Sequence, residues 1–301
     1  MSGLRRALRT AALVLILGVT ALVVPDGAAP PEQVVAVKMH QARGIDATPG
    51  VVWILAIGSD ARPGQDMRRS RGDAIQMVGL NPRTGAATAI GVPRDSWVSI
   101  PGHGVEKINS SLYFGGPQLM GRTVGNLIGF QPDYVLVTRF RFFEQMINDI
   151  GGITVRNPRR FSDPYLRPKG FAAGRIKVDG YGAMGFARIR KSLARGDFDR
   201  SANQQRVLRG IHDTVAAKAS RPGFIEKSVL SVLRYTSTDL SPAEVFRLAQ
   251  VVAQVERRKI TTCVLNGGIG NVGSQSVVFV DKAQARRLGR DARRDAVITR
   301  C

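Results

Sequence analysis

Metal-binding and redox side chains are scarce in this sequence: its 301 residues hold two cysteines and three histidines. No Cys-x-x-Cys pair occurs, so the thiolate and imidazole ligands of a zinc site are missing. Acids are few, with 23 Asp and Glu against 44 Lys and Arg. There is no internal repeat, no low-complexity tract and no helix-turn-helix pattern. Long apolar runs are lacking as well. The N-terminal run, 11–24, is shorter than the roughly 20 residues a comfortable membrane span needs.

What the sequence does have is positive charge, a net +21. An excess of that size points to a polyanionic partner, and nucleic acid, anionic lipid or a phosphorylated substrate satisfies it equally. Arginine far outnumbers lysine, and a guanidinium fork grips phosphate oxygens in pairs where an ammonium cannot. Arg5, Arg6 and Arg9 precede the apolar run, the arrangement that keeps an N-terminus cytoplasmic and sends the remainder across the membrane. The expected organisation is a cytoplasmic basic tail (1–10), a transmembrane signal-anchor (11–24), a proline-bearing linker (25–50), a main domain (51–220) and C-terminal helices and strands (221–301) that complete it. A cleaved signal peptide with small residues at 27–29 is the alternative. Either form exports the bulk of the chain and leaves no role for nucleic acid. In an exported protein Cys263 and Cys301 are expected to form a disulfide rather than remain two unrelated thiols.

Hydrophobic periodicity predicts strands over 51–57, 74–80 and 86–92, the last two joined by Asn81-Pro82-Arg83-Thr84-Gly85 and therefore adjacent and antiparallel. Helices are predicted over 117–128, 140–150, 180–187, 199–218, 242–257 and 283–294, with Ser241 and Glu244 as a capping box. Short strands fall at 134–138, 153–155, 261–265 and 276–280, and 157–174 reads as a surface loop. Strands interleaved with helices imply an α/β fold: a layered α-β-α single domain with a mixed central sheet, preceded by the N-terminal membrane helix.

Three constellations carry chemistry. The first strand runs into Gly58-Ser59-Asp60-Ala61-Arg62, and Arg71-Gly72-Asp73 opens the next. If these strands are neighbours, Asp60 and Asp73 meet at one sheet edge, where α/β proteins bind ligands. Two hard carboxylates without thiols or imidazoles suit Mg²⁺ or Mn²⁺. The third strand ends in Val92-Pro93-Arg94-Asp95, bringing a guanidinium to the same edge, and Lys107-Ile108-Asn109 follows. Finally, Arg188 and Arg190 lie two apart and would point the same way in extended backbone, while Arg200 and Gln204 lie four apart on one helical face. Like charges gathered on one spot repel unless an anion joins them, and a diphosphate would supply it.

Taken with Asp149-Ile150-Gly151-Gly152, Asp179-Gly180 and Gly196-Asp197 through Gln205, these motifs resemble, in order and approximate spacing over about 50–215, the LytR-CpsA-Psr family of cell-wall ligases. The resemblance implies a type II membrane protein, its catalytic domain outside the cytoplasm, with an apolar groove for a polyprenyl chain. It implies a Mg²⁺-dependent phosphotransferase that moves a glycopolymer phosphate from a polyprenyl diphosphate to peptidoglycan. By position Asp60 and Asp73 are then the metal pair. Arg71, Arg94, Lys107, Arg188, Arg190, Arg200 and Gln204 form the diphosphate-binding set, with Arg94, Arg188, Arg190 and Arg200 catalytic. A pyrophosphatase acting on the same carrier, or a non-catalytic envelope lipid- or glycan-binding regulator, are the alternatives. The chain departs from the family pattern at Gly72 and Ala74, where Ser or Thr is usual, and at Asn203, where Arg is frequent.

Overall fold

The computed structural model describes residues 32–45 and 50–301. Strands β1 (Val34–Lys38), β2 (Val52–Ser59), β3 (Gly72–Leu80) and β4 (Ala87–Gly91) come first. A small hairpin of β5 (Trp97–Ile100) and β6 (Gly104–Lys107) leads into α1 (Ser110–Ile128), β7 (Tyr134–Arg139) and α2 (Phe140–Asp149). Next come β8 (Ile153–Asn157), β9 (Phe161–Asp163), β10 (Arg167–Phe171) and β11 (Gly174–Val178). Helices α3 (Gly180–Arg188), α4 (Asp197–Ala216) and α5 (Phe224–Arg234) precede β12 (Thr236–Thr238), α6 (Pro242–Gln254) and β13 (Ile260–Val264). A hairpin of β14 (Gly267–Val272) and β15 (Gln275–Val280) and then α7 (Lys282–Ala292) close the chain.

The central sheet has seven strands in the order β12-β1-β7-β2-β3-β4-β13. It is mixed: β2 is parallel to β7 and antiparallel to β3, while β4 is antiparallel to β3 and parallel to β13. The fold is therefore mixed α/β around a mixed sheet, as the alternation of elements implies.

Side-chain alternation along β2 shows how the two faces differ. Trp53, Leu55 and Ile57 point to one face with Ile75, Met77, Val135 and Val137, and pack under Met120, Val124 and Ile128 of α1 and Ala285 and Leu288 of α7. Each such large side chain, fully buried, stabilises the fold by about 1.5–3 kcal/mol. On the other face Ile54 joins Val78, Leu80 and Val251 of α6. Further along that second face the side chains shrink to Ala56, Gly58 and Ala74, and α2, α3 and α4 arch over them without filling the space. A groove opens there.

Several expectations change. Residues 34–38, assigned to a linker, form β1 and pair with both β7 and β12. The predicted loop 157–174 contains the β9–β10 hairpin, held by Phe161 and Phe171 at 5.2 Å from each other and from Phe186. Its Pro, Gly and charge content masked two buried aromatic anchors. Helix α1 starts at Ser110 and breaks at Gly115 and Gly116, where Gly116 has φ +65° before Pro117 restarts the turns. Helix α5 and strands β12 and β14 also escape the sequence reading. The Ser241–Glu244 capping box is present. Cys263 and Cys301 are joined by a disulfide across a sequence separation of 38. The basic tail and expected span lie outside the described residues, and among those described no helix is long and apolar enough to cross a membrane.

Candidate functional site

The site begins with an irregularity in the β2–β3 ladder. Gly58 pairs with Ala74 but Ser59 pairs with Gly72, so Asp73 is an extra residue on β3. In regular backbone neighbours face opposite sides of a sheet, and a bulge lifts that restriction. Asp73 and Ala74 accordingly both border the groove, while Gly72 sits against Ile57 and Met120 on the other face. One turn away Asp60 is fixed by the loop backbone: its Oδ1 accepts the Arg71 N–H at 3.1 Å, and its own N–H donates to the Arg71 carbonyl.

The groove is floored by Ala56, Gly58, Ala74 and Leu136 of the sheet and roofed by Phe143, Met146, Met184, Val207 and Ile211. Asp73, Arg188, Arg200 and Gln204 border it as well, so its polar rim belongs to the predicted site. A second cavity, strongly charged, adjoins it and is lined by Asp60, Arg71, Arg94, Asp95, Lys107, Arg190 and Asp197. Sequence-distant residues predicted to converge thus do so around two neighbouring spaces, one of hydrocarbon and one of charge, whose walls are linked by the Arg94–Asp73 and Arg200–Asp197 ion pairs.

The charged cavity is an alternation of signs. Arg94 forms an ion pair with Asp73 through Nη1, and its Nε lies 3.7 Å from Asp95. Asp95 also reaches Lys107 at 3.9 Å and Arg190 at 3.2 Å. Asp197, buried at the first turn of α4, lies 2.8 Å from Arg200 and 3.5 Å from Arg190. Burial works against the charge on Arg94, but Asp73 and Asp95 outweigh it and hold the guanidinium above its ordinary value. Burial pushes Arg200 down from its ordinary value, with Asp197 opposing the shift. The arginines therefore do not wait for an external anion to relieve their repulsion, as the motif alone implies; interleaved carboxylates hold them. Seven cationic side chains, Lys191 included, still face four carboxylates across the two spaces, which leaves an excess of three positive charges.

One predicted geometry is corrected. Arg188 is the last residue of α3 rather than part of an extended segment, so it does not point with Arg190. Arg188 turns to the groove and stacks 4.4 Å from the Phe140 ring centroid; Arg190 turns to the charged cavity. Gln204 shares the groove with Arg200, yet its amide is engaged by protein: Nε2 donates to the Asp73 and Ala187 carbonyls and Oε1 accepts from Gln76 at 3.0 Å. Gln205 extends this network, donating to the Cys263 carbonyl at 2.8 Å and to Gln76 Oε1 at 3.2 Å. These amides lock α4 to the sheet and thereby fix Arg200.

Asp95 and Asp197 stand inside the quoted motifs, which give neither of them a place in the site. A signal for Asp197 existed in its place at a helix N-terminus beside two arginines. Val207, Leu208 and Ile211 continue the face of Arg200 and Gln204 at helical spacing, and so announced an apolar wall behind the charges.

Among the described residues no group of three or more His, Cys, Asp or Glu is placed to hold a metal. Asp60 and Asp73 nevertheless offer oxygen donors on either side of the Arg71 turn. They border different spaces, and Asp73 pairs with Arg94 while Asp60 accepts the Arg71 N–H; as hard carboxylates they are of the kind Mg²⁺ takes together with water and phosphate oxygens.

The fold is a mixed α/β sheet that carries an apolar groove beside a cavity of clustered guanidinium and carboxylate groups. The LytR_cpsA_psr family model matches residues 28–294, and the chain belongs to that family. It is 32% identical over 197 residues to the polyisoprenyl-teichoic acid–peptidoglycan teichoic acid transferase TagU of Bacillus anthracis, a match that takes in 65% of this chain and 62% of the relative's length. Its fold is similar to that of Bacillus subtilis TagV, with a TM-score of 0.68, 26% identity, and 81% of this chain and 97% of the other covered. A structure of the family protein YwtF (TagT), which holds a bound octaprenyl pyrophosphate lipid, shares the fold at a TM-score of 0.63 and 21% identity, covering 88% and 96% of the two chains.

Proposed function

We propose that this protein is a phosphotransferase which moves a glycopolymer phosphate from a polyprenyl-diphosphate carrier to a hydroxyl of peptidoglycan. The observation that carries the reading is the link made by the Asp73–Arg94 and Arg200–Asp197 ion pairs between the wall of a hydrocarbon-lined groove and that of a cavity with surplus positive charge. The prenyl chain lies along the groove between the small sheet residues and α2–α4, and the diphosphate enters the charged cavity. The acceptor hydroxyl oxygen bonds to the phosphorus nearest the glycan, the bridging P–O bond breaks, and polyprenyl phosphate leaves as the hydroxyl proton departs.

Such transfers depend on positioning and charge stabilisation rather than on a protein nucleophile. Arg94, Arg190 and Arg200, held in place by Asp73, Asp95 and Asp197, face the phosphates without reorganising, and Arg188 reaches them from the groove. Arg71 and Lys107 complete the anion site. Asp60 and Asp73 would hold Mg²⁺, or Mn²⁺ on the same donors, and the ion would neutralise charge on the diphosphate. Asp95, tied to three cations, is a positioning residue rather than a general base. The N-terminal segment 11–24 anchors the chain as a type II membrane protein, with the domain outside the cytoplasm.

The test is to supply carrier labelled in its glycan, with and without peptidoglycan. Transfer puts label on the wall polymer only when peptidoglycan is present. Equal release of label in both arms makes the protein a pyrophosphatase, and unaltered carrier makes it a binding module.

A further inference from the structure

We infer that a third cavity, next to the charged one, seats a pyranose ring of the acceptor glycan; the inference rests on the transferase reading above. This cavity shares Arg71 and Lys107 with the charged cavity and shares no residue with the groove, so it borders the phosphate site without being part of the hydrocarbon channel. Its remaining walls are Glu106, Ser110, Tyr113, Phe114 and Gln275.

The chemistry of these walls is that of a sugar site. Tyr113 is 57% exposed, which leaves its ring open to a ligand. It meets Phe114 edge-on at 5.8 Å, and Phe114 stacks on His103 at 4.7 Å with the planes 8° apart. The three rings steady one another and hold Tyr113 as a platform. The C–H bonds on one face of a pyranose carry slight positive charge and lie well on the negative face of such a ring. Around it stand a hydroxyl (Ser110), an amide (Gln275), an ammonium (Lys107) and a carboxylate (Glu106), which between them donate to and accept from sugar hydroxyls. Glu106 accepts the Lys107 N–H at 2.8 Å and is ion-paired to no basic side chain among the described residues. A free carboxylate disfavours a further phosphate, and so many polar groups disfavour a prenyl chain.

Direction of attack selects the acceptor sugar over the donor's. Attacking and leaving oxygens lie roughly in line through phosphorus. With polyprenyl phosphate leaving along the groove, the incoming hydroxyl must arrive from outside it, and this cavity touches the phosphate site through Arg71 and Lys107 without touching the groove. Gln275 comes from the β14–β15 hairpin, which is docked on the site by the Val278 N–H to Asp95 carbonyl bond of 2.9 Å.

The experiment compares wild-type full-length protein with Tyr113→Ala, Tyr113→Trp and Gln275→Ala. KM is measured for a soluble peptidoglycan glycan fragment and for labelled carrier, and fragment binding is followed without carrier by saturation-transfer NMR. Expected for Tyr113→Ala is an acceptor KM raised about tenfold, an unchanged carrier KM and loss of the fragment signal, with Tyr113→Trp close to wild type. Gln275→Ala is expected to act in the same direction by a smaller factor. A rise in carrier KM instead, or no change in either constant, overturns the assignment. Wild-type protein that binds the fragment through Tyr113 yet attaches no label would sink the transferase reading and leave the sugar site standing. Label attached equally by all variants does the reverse.

Discussion

The groove and the charged cavity share the same sheet edge but are built by opposite means. The groove is made by subtraction: Ala56, Gly58 and Ala74 stand where a core would carry large side chains, and the roof helices keep their distance. The charged cavity is made by addition, with carboxylates placed between cations so that Arg94, Arg190 and Arg200 each have an acidic partner. Arg188 marks the boundary, held by an aromatic ring and the Met184 sulfur instead of by an acid. A space for hydrocarbon needs only room, whereas a space for a diphosphate needs its counter-charges oriented before the ligand arrives.

Four experiments would break or sharpen that contrast. Arg200→Ala removes a cation oriented for the transferred phosphate and is expected to lower turnover by about a thousandfold while carrier binding through the groove persists. Wild-type turnover in that variant would end its assignment. Cys301→Ser removes the tie between the chain end and β13, and is expected to lower unfolding stability by about 3 kcal/mol in urea titrations. Because the β14–β15 hairpin lines the charged cavity and not the groove, this variant should lose more transfer activity than carrier affinity. Asp73→Ala is expected to abolish the stimulation by Mg²⁺ and lower turnover about a hundredfold; wild-type activity insensitive to chelators would refute the metal role. Ala74→Phe fills space rather than removing charge, and is expected to raise carrier KM about tenfold with kcat little changed at saturation.

The sequence discloses the charged half of this arrangement better than the apolar half. Charged motifs at strand ends are visible because a carboxylate or guanidinium has few reasons to sit beside a buried run, and all the predicted cations reach the two spaces. Phe143, Met146, Val207 and Ile211 look no different in sequence from residues that fill a core, since periodicity reports which face is apolar and not whether anything packs against it. The small residues on the second face of β2 were the available clue. Orientation was less legible still. Arg188 ends a helix because α3 continues one residue beyond its predicted limit, and that extension separates it from Arg190. Residues 34–38 become a strand because β7 and β12 lie on either side to pair with them, a partnership made by distant chain.

The extra residue in β3 has a consequence for how such a chain tolerates change. Deleting Gly72 would restore strict alternation and swing the Asp73 carboxylate toward the aliphatic layer beneath Met120, exchanging an ion pair with Arg94 for burial among hydrocarbons. Point substitutions around this edge are graded in effect, but a change of one in strand length is all-or-none. Lineages carrying this protein should therefore show almost no insertions or deletions between positions 72 and 74.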